Sequence, residues 1–408
     1  MVSSYPKDRI KVLLLEGIHQ NAVKVFQDAG YTNIELLSGA LPESELIKKI
    51  KDVSIVGIRS KTQLTKSVLT AAEKLWGVAC FCIGTNQVDL KTAAQQGKVV
   101  FNSPYSNTRS VAELVIAEII FLMRGISQKN TAAHQKVWLK SANNSNEVRG
   151  KKLGIIGYGH IGTQVSVLAE AIGMHVIYYD VIPKLPMGNA RAVESLEQLL
   201  KESDVVSLHV PSTPETKYMI KKAELEAMKE GSYLINLSRG NVVEIDALKA
   251  ALESKHILGA AVDVFPVEPK TNNDPFYTPL QGLSNVILTP HIGGSTQEAQ
   301  ENIGLDAAQK LINYLDNGST VGSHSVPDIH LPKQAGTHRI LHIHKNIPGV
   351  MTAINNIISR EGLNVVGQYL KTNEDVGYVV LDIRGNVKQE IVNELKSLPE
   401  TIKARVLY

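Results

Sequence analysis

Short apolar runs alternate with amphipathic stretches along most of the chain, and this alternation sets the expected fold. Over residues 10–105 the runs at 12–15, 34–37, 54–58, 78–81 and 99–101 read as strands. The stretches at 20–29, 43–50, 66–72 and 89–96 read as the helices between them. That order predicts a parallel α/β domain. Ser110-Val-Ala-Glu113 has the spacing of a capping box and predicts a long helix reaching about Arg124, which carries the chain into a second domain. Residues 128–146 are polar, with Trp138 and Lys140 among them, and read as surface.

From Lys152 the alternation resumes, with strands expected at 153–156, 175–179, 205–210, 233–237, 258–262 and 286–288. Six strands separated mostly by helical patterns match a doubly wound dinucleotide fold. Ser295-Thr-Gln-Glu298 is a second capping box, opening a helix that ends near Leu315. It reads as a return helix on the first domain, which makes that domain discontinuous. Residues 317–337 are rich in Gly, Ser and Pro and read as a flexible linker. Beyond them a β-α-β-β-α-β order predicts a separable ferredoxin-like unit. The expected boundaries are 1–107, 108–294, 295–336 and 337–408.

Composition narrows the class. The 408 residues suffice for two or three domains with real cores, and 43% hydrophobic with 20% charged residues is ordinary for a globular protein. A net charge of +3 is too small to argue for nucleic acid or a membrane surface. The N-terminal apolar run is too short for a signal peptide. The apolar helix at 114–123 is too short to span a bilayer and carries Glu118, so a cytoplasmic protein is expected. Cys80 and Cys82 alternate on one expected strand, which favours buried free thiols over a disulfide. No Cys/His cluster has ligand spacing, so no metal is expected.

Candidate chemistry begins at residues 152–180. A strand runs into Gly157-Tyr-Gly159-His-Ile-Gly162. Val165, Leu168, Ala169 and Ile172 then mark one helix face, and a second strand ends on Asp180, eighteen residues after Gly162. The first glycine permits a tight turn, the second lets the backbone approach a pyrophosphate, and the third lets helix pack on strand. The helix start offers N–H groups to phosphate, and an acid ending the second strand accepts ribose hydroxyls while repelling a 2′-phosphate. The reading is an NAD site.

Ligands bind outside the carboxyl ends of strands in such sheets. The fourth strand of this domain ends in Ser238-Arg239-Gly240, and the fifth in Asp263, with Glu268 five residues on. The sixth ends in Thr289-Pro290-His291-Ile292-Gly293-Gly294. Arg is a forked carboxylate clamp. His moves the proton while a hydride leaves the same carbon, and Glu fixes its tautomer and favours its protonated form. Taken singly, these are a surface cation, a loop acid and a structural histidine. Taken jointly, they read as oxidation of a 2-hydroxy acid with NAD accepting the hydride.

The same residues carry a family likeness across essentially the whole chain. They are Arg149-Gly150-Lys151 leading into LGIIGYGHIGTQ, LINLSRG at 234–240, AAVDVFPVEP at 260–269, LTPHIGGST at 288–296, and the tail from LHIHKNIPGV. On them the chain resembles the D-isomer-specific 2-hydroxyacid dehydrogenases, in the short form with a C-terminal ACT domain. The resemblance implies a doubly wound Rossmann-type NAD domain, a flavodoxin-like α/β substrate domain and a ferredoxin-like ACT domain. It implies NAD-dependent oxidation of 3-phospho-D-glycerate to 3-phosphohydroxypyruvate, the first step of phosphorylated L-serine biosynthesis. It also implies a homotetramer feedback-inhibited by L-serine.

Residue by residue, the resemblance assigns Arg239 to the substrate carboxylate and carbonyl, and pairs Glu268 with His291. It assigns His160 and Ile161 to the pyrophosphate, Asp180 to the adenosine ribose, and Asp263 to the nicotinamide surroundings. Leu237, Ser238, Ile292, Gly293 and Gly294 also border the cofactor. Arg59, Ser60 and Lys61, at the end of the strand at 54–58, would read the phosphate. Asn107 sits at the hinge, and Lys140 would reach a neighbouring subunit's cleft. Relatives often carry arginine where Lys61 stands, and lysine keeps the charge but loses the fork. In the tail, His344, Asn346 and Asn364 would hold serine, since ACT domains bind amino acids at pairwise domain contacts.

Two other readings stand beside this one. A hydroxypyruvate or glyoxylate reductase on the same fold would prefer unphosphorylated substrate, and the Arg59/Lys61 pair argues against it. A non-enzymatic NAD-sensing protein, like the corepressors built on this fold, is compatible with the Arg/Glu/His set, and the regulatory tail argues against it.

Overall fold

Burial on both faces shapes the first sheet. In the computed structural model, which describes residues 4–269, 271, 273–332, 334–385 and 387–408, the chain divides into two units. One comprises the residues up to Ser106 with Gln300–Tyr408, the other Asn107–Ala299. The first contains β1 (Val12–Leu14), β2 (Ile34–Leu36), β3 (Ile55–Ile58), β4 (Gly77–Cys80) and β5 (Val99–Asn102). They are parallel, in the order β2-β1-β3-β4-β5. The residues of β1, β3, β4 and β5 are buried throughout, as near-continuous Val/Ile/Leu runs in parallel sheets are. Cys80 and Cys82 are free thiols.

The second unit holds β6 (Lys152–Ile156), β7 (His175–Tyr179), β8 (Arg191–Ala192), β9 (Val205–Leu208), β10 (Ser232–Asn236), β11 (Ile257–Val262) and β12 (Val286–Leu288). They too are parallel, in the order β12-β11-β10-β9-β6-β7-β8. β8 was not expected, because its two residues are exposed and show no apolar run. The helix Thr108–Arg124 does not use the expected capping box. Ser110 Oγ meets Thr296 Oγ1 at 2.8 Å, and Glu113 pairs with Arg109 at 2.6 Å. At the helix with the second expected capping box, Gln297–Asn317, Thr296 rather than Ser295 accepts the cap bond, from Ala299 N at 3.1 Å. Within the polar stretch at 128–146 a helix, Ile126–His134, was missed. Its one buried side chain, Ala132, leaves no apolar stripe to read.

The tail forms β13 (His338–Lys345), β14 (Asn364–Thr372), β15 (Val376–Arg384) and β16 (Thr401–Leu407), antiparallel in the order β14-β15-β13-β16. Helices Val350–Arg360 and Gln389–Ser397 cover one face through Ile354, Ile358, Ile391 and Leu395. The other face, with Leu341, Ile343, Tyr378 and Leu407, joins the core containing Phe101, Leu311 and Tyr314. The sheet of the tail therefore shares a core with β5 and the helix Gln297–Asn317.

The stretch read as a flexible linker is also built in. Ser323 bridges antiparallel to Phe101, His324 N donates to Val100 O at 2.8 Å, and Val100 N donates to Ser325 Oγ at 2.9 Å. Val326, Ile329 and Leu331 are buried. Gly, Ser and Pro here supply turns and hydroxyl partners for buried backbone; Thr320 Oγ1, for example, accepts from Ile329 N at 2.8 Å. Arg339, fully buried, pairs with Asp382 through Nε at 2.7 Å and Nη2 at 2.8 Å, and also donates to the carbonyls of Asn317, Leu331 and Pro332. Among the described residues no helix is long and apolar enough to cross a membrane, and no group of three or more His, Cys, Asp or Glu is placed to hold a metal.

Candidate active site

The glycine turn after β6 has three steric environments. Gly157 sits at φ 92°, where a Cβ would come 2.4 Å from His209 O. At Gly162 a Cβ would come 2.3 Å from Gly157 O. At Gly159 nothing lies within 4 Å, leaving room for a ligand to meet the backbone. These are the turn, packing and approach roles of a dinucleotide turn. The helix His160–Ala171 starts here with no side chain capping it, so its positive dipole end faces outward. Asp180, after β7, accepts from Tyr158 N at 2.8 Å and Ile182 N at 2.9 Å, one bond to each oxygen. Each oxygen keeps acceptor capacity for a ribose hydroxyl. The residues fit a dinucleotide.

The ends of β10, β11 and β12 carry the expected arginine, glutamate and histidine within the same unit. Ser238 donates from N and Oγ to Asn236 Oδ1, and Asn236 Nδ2 returns a bond to Arg239 O at 3.1 Å. Arg239 Nη1 donates to Ser238 O at 2.7 Å. Gly240 has no room for a Cβ, which would fall 2.0 Å from Phe265 C. Leu237 is buried beside Gly293.

Asp263 is 1% exposed and organises the histidine loop. Its carboxylate accepts from Thr289 Oγ1 at 2.6 Å, Ile292 N at 2.8 Å and Gly293 N at 2.8 Å, and its carbonyl accepts from His291 N at 2.8 Å. These bonds hold His291 in the left-handed region, φ 54°, a conformation that persists only where surroundings over-determine it.

So held, His291 Nδ1 lies 2.8 Å from Glu268 Oε2, while Glu268 Oε1 accepts from Phe265 N at 3.1 Å. The Glu268 bond raises the imidazole pKa above its ordinary value against the opposing effect of burial. Burial pushes Glu268 up, but His291, the Phe265 N–H and nearby Arg239 together hold it below the usual value. With Nδ1–H donating to Glu268, Nε2 is the nitrogen left to exchange a proton.

Glu118 was overlooked as chemistry. It is 3% exposed on the helix Thr108–Arg124, and neither oxygen has a hydrogen-bond partner among the described residues. Burial, then the charge of Asp263, pushes its pKa up to about 8. Its signal was visible as one acid in an apolar helix face.

The remaining expected residues are dispersed. Arg59, Ser60 and Lys61 follow β3 in the first unit. Asn107 opens the second unit and packs on Gly294, where a Cβ would come 2.2 Å from its Nδ2. Lys140 is exposed. His344 is buried, Asn346 Nδ2 donates to Asn373 O at 2.7 Å, and Asn364 is exposed on the edge strand β14. Register separates the last two. His344 and Thr372 both pair with Gly377, so Asn364 lies eight residues along β14 from that end, about 26 Å at 3.3 Å per residue.

Comparison with known proteins agrees with this geometry. Residues 116–293 match the NAD binding domain of the D-isomer specific 2-hydroxyacid dehydrogenases, and residues 340–403 match an AHAS small subunit-like ACT domain. The chain belongs to the D-isomer specific 2-hydroxyacid dehydrogenase family. Within it, the chain is similar along its whole length to D-3-phosphoglycerate dehydrogenases. That of Escherichia coli is 56% identical over 407 residues, 99% of each chain. That of Dictyostelium discoideum is 51% identical over 406 residues, 100% of this chain and 99% of the relative. Among solved structures, D-lactate dehydrogenase from Aquifex aeolicus, complexed with NAD and lactic acid, is 28% identical with a TM-score of 0.66. That match covers 78% of this chain and all of that one.

Proposed function

We propose that the protein oxidises 3-phospho-D-glycerate to 3-phosphohydroxypyruvate with NAD, opening a route to L-serine. The Glu268–His291 pair beside Arg239, in the unit that carries the glycine turn, is the observation that supports this most. Arg239 clamps the substrate carboxylate with its fork. His291 Nε2 takes the hydroxyl proton, and Glu268 stabilises the imidazolium that forms. NAD, held by the glycine turn and Asp180, would supply the hydride acceptor for the same carbon. In the reverse direction His291 returns the proton to the alkoxide oxygen. Asp180 favours NAD over NADP by charge. Arg59, Ser60 and Lys61 supply phosphate affinity, and Asn107 and Lys140 assist substrate binding.

We also assign L-serine to the tail, through His344, Asn346 and Asn364. The register places Asn346 and Asn364 too far apart in one copy to share an amino acid, so the site needs two copies, in keeping with a cytoplasmic homotetramer. Serine inhibits only by binding one conformational state better than another. Because the tail shares a core with β5, deleting it would damage folding, and point variants give the cleaner test. Asn346→Ala and Asn364→Ala should each raise the serine concentration for half-inhibition about tenfold, the scale of one or two lost hydrogen bonds. Uninhibited turnover should change little. Unchanged inhibition curves would remove serine from this site. The function itself is tested by NADH absorbance on adding 3-phosphoglycerate with a trap for the oxo product. Faster turnover of an unphosphorylated 2-hydroxy acid would refute the assignment.

A further inference from the structure

The loop at residues 59–62 is held by an acid from the end of another strand. Glu16, two residues beyond β1, is 8% exposed. Its Oε1 accepts from Arg59 N at 3.1 Å and Thr62 N at 2.8 Å, and its Oε2 accepts from Lys61 N at 2.9 Å. Its carbonyl accepts from Arg59 Nη1 at 3.5 Å. On the far side Gln87, 4% exposed, donates from Nε2 to Arg59 O at 2.8 Å.

Glu16 holds a left-handed backbone, φ 64°, next to Gly17 at φ 61°. A bulky residue there costs on the order of 1–3 kcal/mol and points from the outlier to a role. Three converging N–H groups form an anion nest, and here the anion is the protein's own carboxylate. A buried carboxylate beside Arg59 would be a poor choice for lining a phosphate site directly. As a brace on the backbone it fixes where Arg59, Ser60 and Lys61 project.

We infer that Glu16 is a positioning residue for substrate phosphate, acting through the loop at 59–62. The inference rests on the proposed reading of Arg59 as a phosphate contact. Preorganisation of this kind lowers the ordering cost of binding and acts on affinity rather than on the chemical step.

The test uses the full-length enzyme with 3-phosphoglycerate and with D-glycerate. Glu16→Gln keeps the size but turns one acceptor into a donor facing an N–H. Glu16→Gly removes the carboxylate while relaxing the left-handed backbone, guarding against a folding artefact. Each should raise KM for 3-phosphoglycerate about tenfold with a much smaller change in kcat, the scale of one charge-assisted hydrogen bond. For D-glycerate kcat/KM should stay within about twofold, and KM for NAD should hold. Combined with Arg59→Ala, Glu16→Gln should add less than it does alone, because part of its effect runs through the Arg59 contact. If Arg59→Ala weakens 3-phosphoglycerate and neither Glu16 variant does, the positioning role is overturned while the substrate reading stands. Equal losses for both substrates, tracking a fall in Tm, would also overturn it by showing a structural role. If Arg59→Ala itself leaves KM unchanged, the phosphate reading falls and this inference falls with it.

Discussion

The two parallel sheets treat the same structural position in opposite ways. In the first, the strand order β2-β1-β3-β4-β5 reverses between β1 and β3. In the second, β12-β11-β10-β9-β6-β7-β8 reverses between β6 and β9. Such switch points open a crevice outside the strand ends. After β6 the chain turns through Gly157, Gly159 and Gly162 and offers backbone N–H groups to a ligand, with nothing near Gly159. After β3 the N–H groups of Arg59, Lys61 and Thr62 converge as well, but the carboxylate of Glu16, arriving from β1, already takes them. Converging N–H groups need an anion. Supplied from within, it makes a rigid loop that presents cations; left to a ligand, the nest becomes a cofactor site. The comparison predicts that variants of the glycine turn and of the Glu268–His291 pair act on NAD and turnover, and variants of the loop at 59–62 on affinity for the substrate phosphate.

The largest effect should come from His291→Ala. Loss of a general acid–base lowers kcat by about two to four orders of magnitude, and KM for 3-phosphoglycerate should move far less. Stopped-flow NADH formation separates the two, and a variant with near-normal kcat would break this division. Gly162→Ala should come next. Its Cβ would lie 2.3 Å from Gly157 O, and backbone cannot yield as a flexible side chain does. NAD affinity, followed by NADH fluorescence, should fall at least about tenfold, since the turn must open to admit the methyl group. Gly17→Ala, at φ 61° with Ser38 O 3.5 Å away, should leave NAD binding unchanged.

Much of this was legible in residue patterns, for reasons that also mark where legibility ends. Most strands of both parallel sheets are buried apolar runs bounded by polar residues, and the three glycines carry their roles in their spacing. Arg239, Glu268 and His291 could be brought to one sheet edge because strand ends share that edge. β8 and the helix Ile126–His134 were not readable, because neither buries a stripe of its own. The linker was misread because serine and threonine look alike whether they meet water or cap buried backbone, as Ser325 and Thr320 do. Glu16 was missed for a related reason. An acid after a strand resembles any solvated charge until a loop 43 residues away closes on it.

The smallest and sharpest test concerns the pH response of the second unit. The hydrogen bond that His291 donates to Glu268 is the main reason that His291 titrates above an ordinary imidazole, with burial opposing it. With His291 as the proposed proton acceptor, oxidation requires the neutral ring, so kcat/KM in that direction should fall as pH drops through this raised pKa. Reduction requires the imidazolium, so its kcat/KM should fall as pH rises through the same value. Glu268→Gln removes the negative charge but keeps a hydrogen-bonding group at Nδ1. The imidazole pKa then drops, and both limbs move to lower pH. The variant should retain more of its own maximal oxidation rate under acid conditions and lose reduction at a lower pH than the wild type. Glu16→Gln, distant in sequence and assigned to phosphate affinity, should leave both limbs where they were. Paired pH profiles with 3-phosphoglycerate and 3-phosphohydroxypyruvate decide it. Limbs that stay fixed in Glu268→Gln, or move upward, would show that another group sets the titration. Glu118, pushed up to about 8 behind Asp263, would be the first to examine.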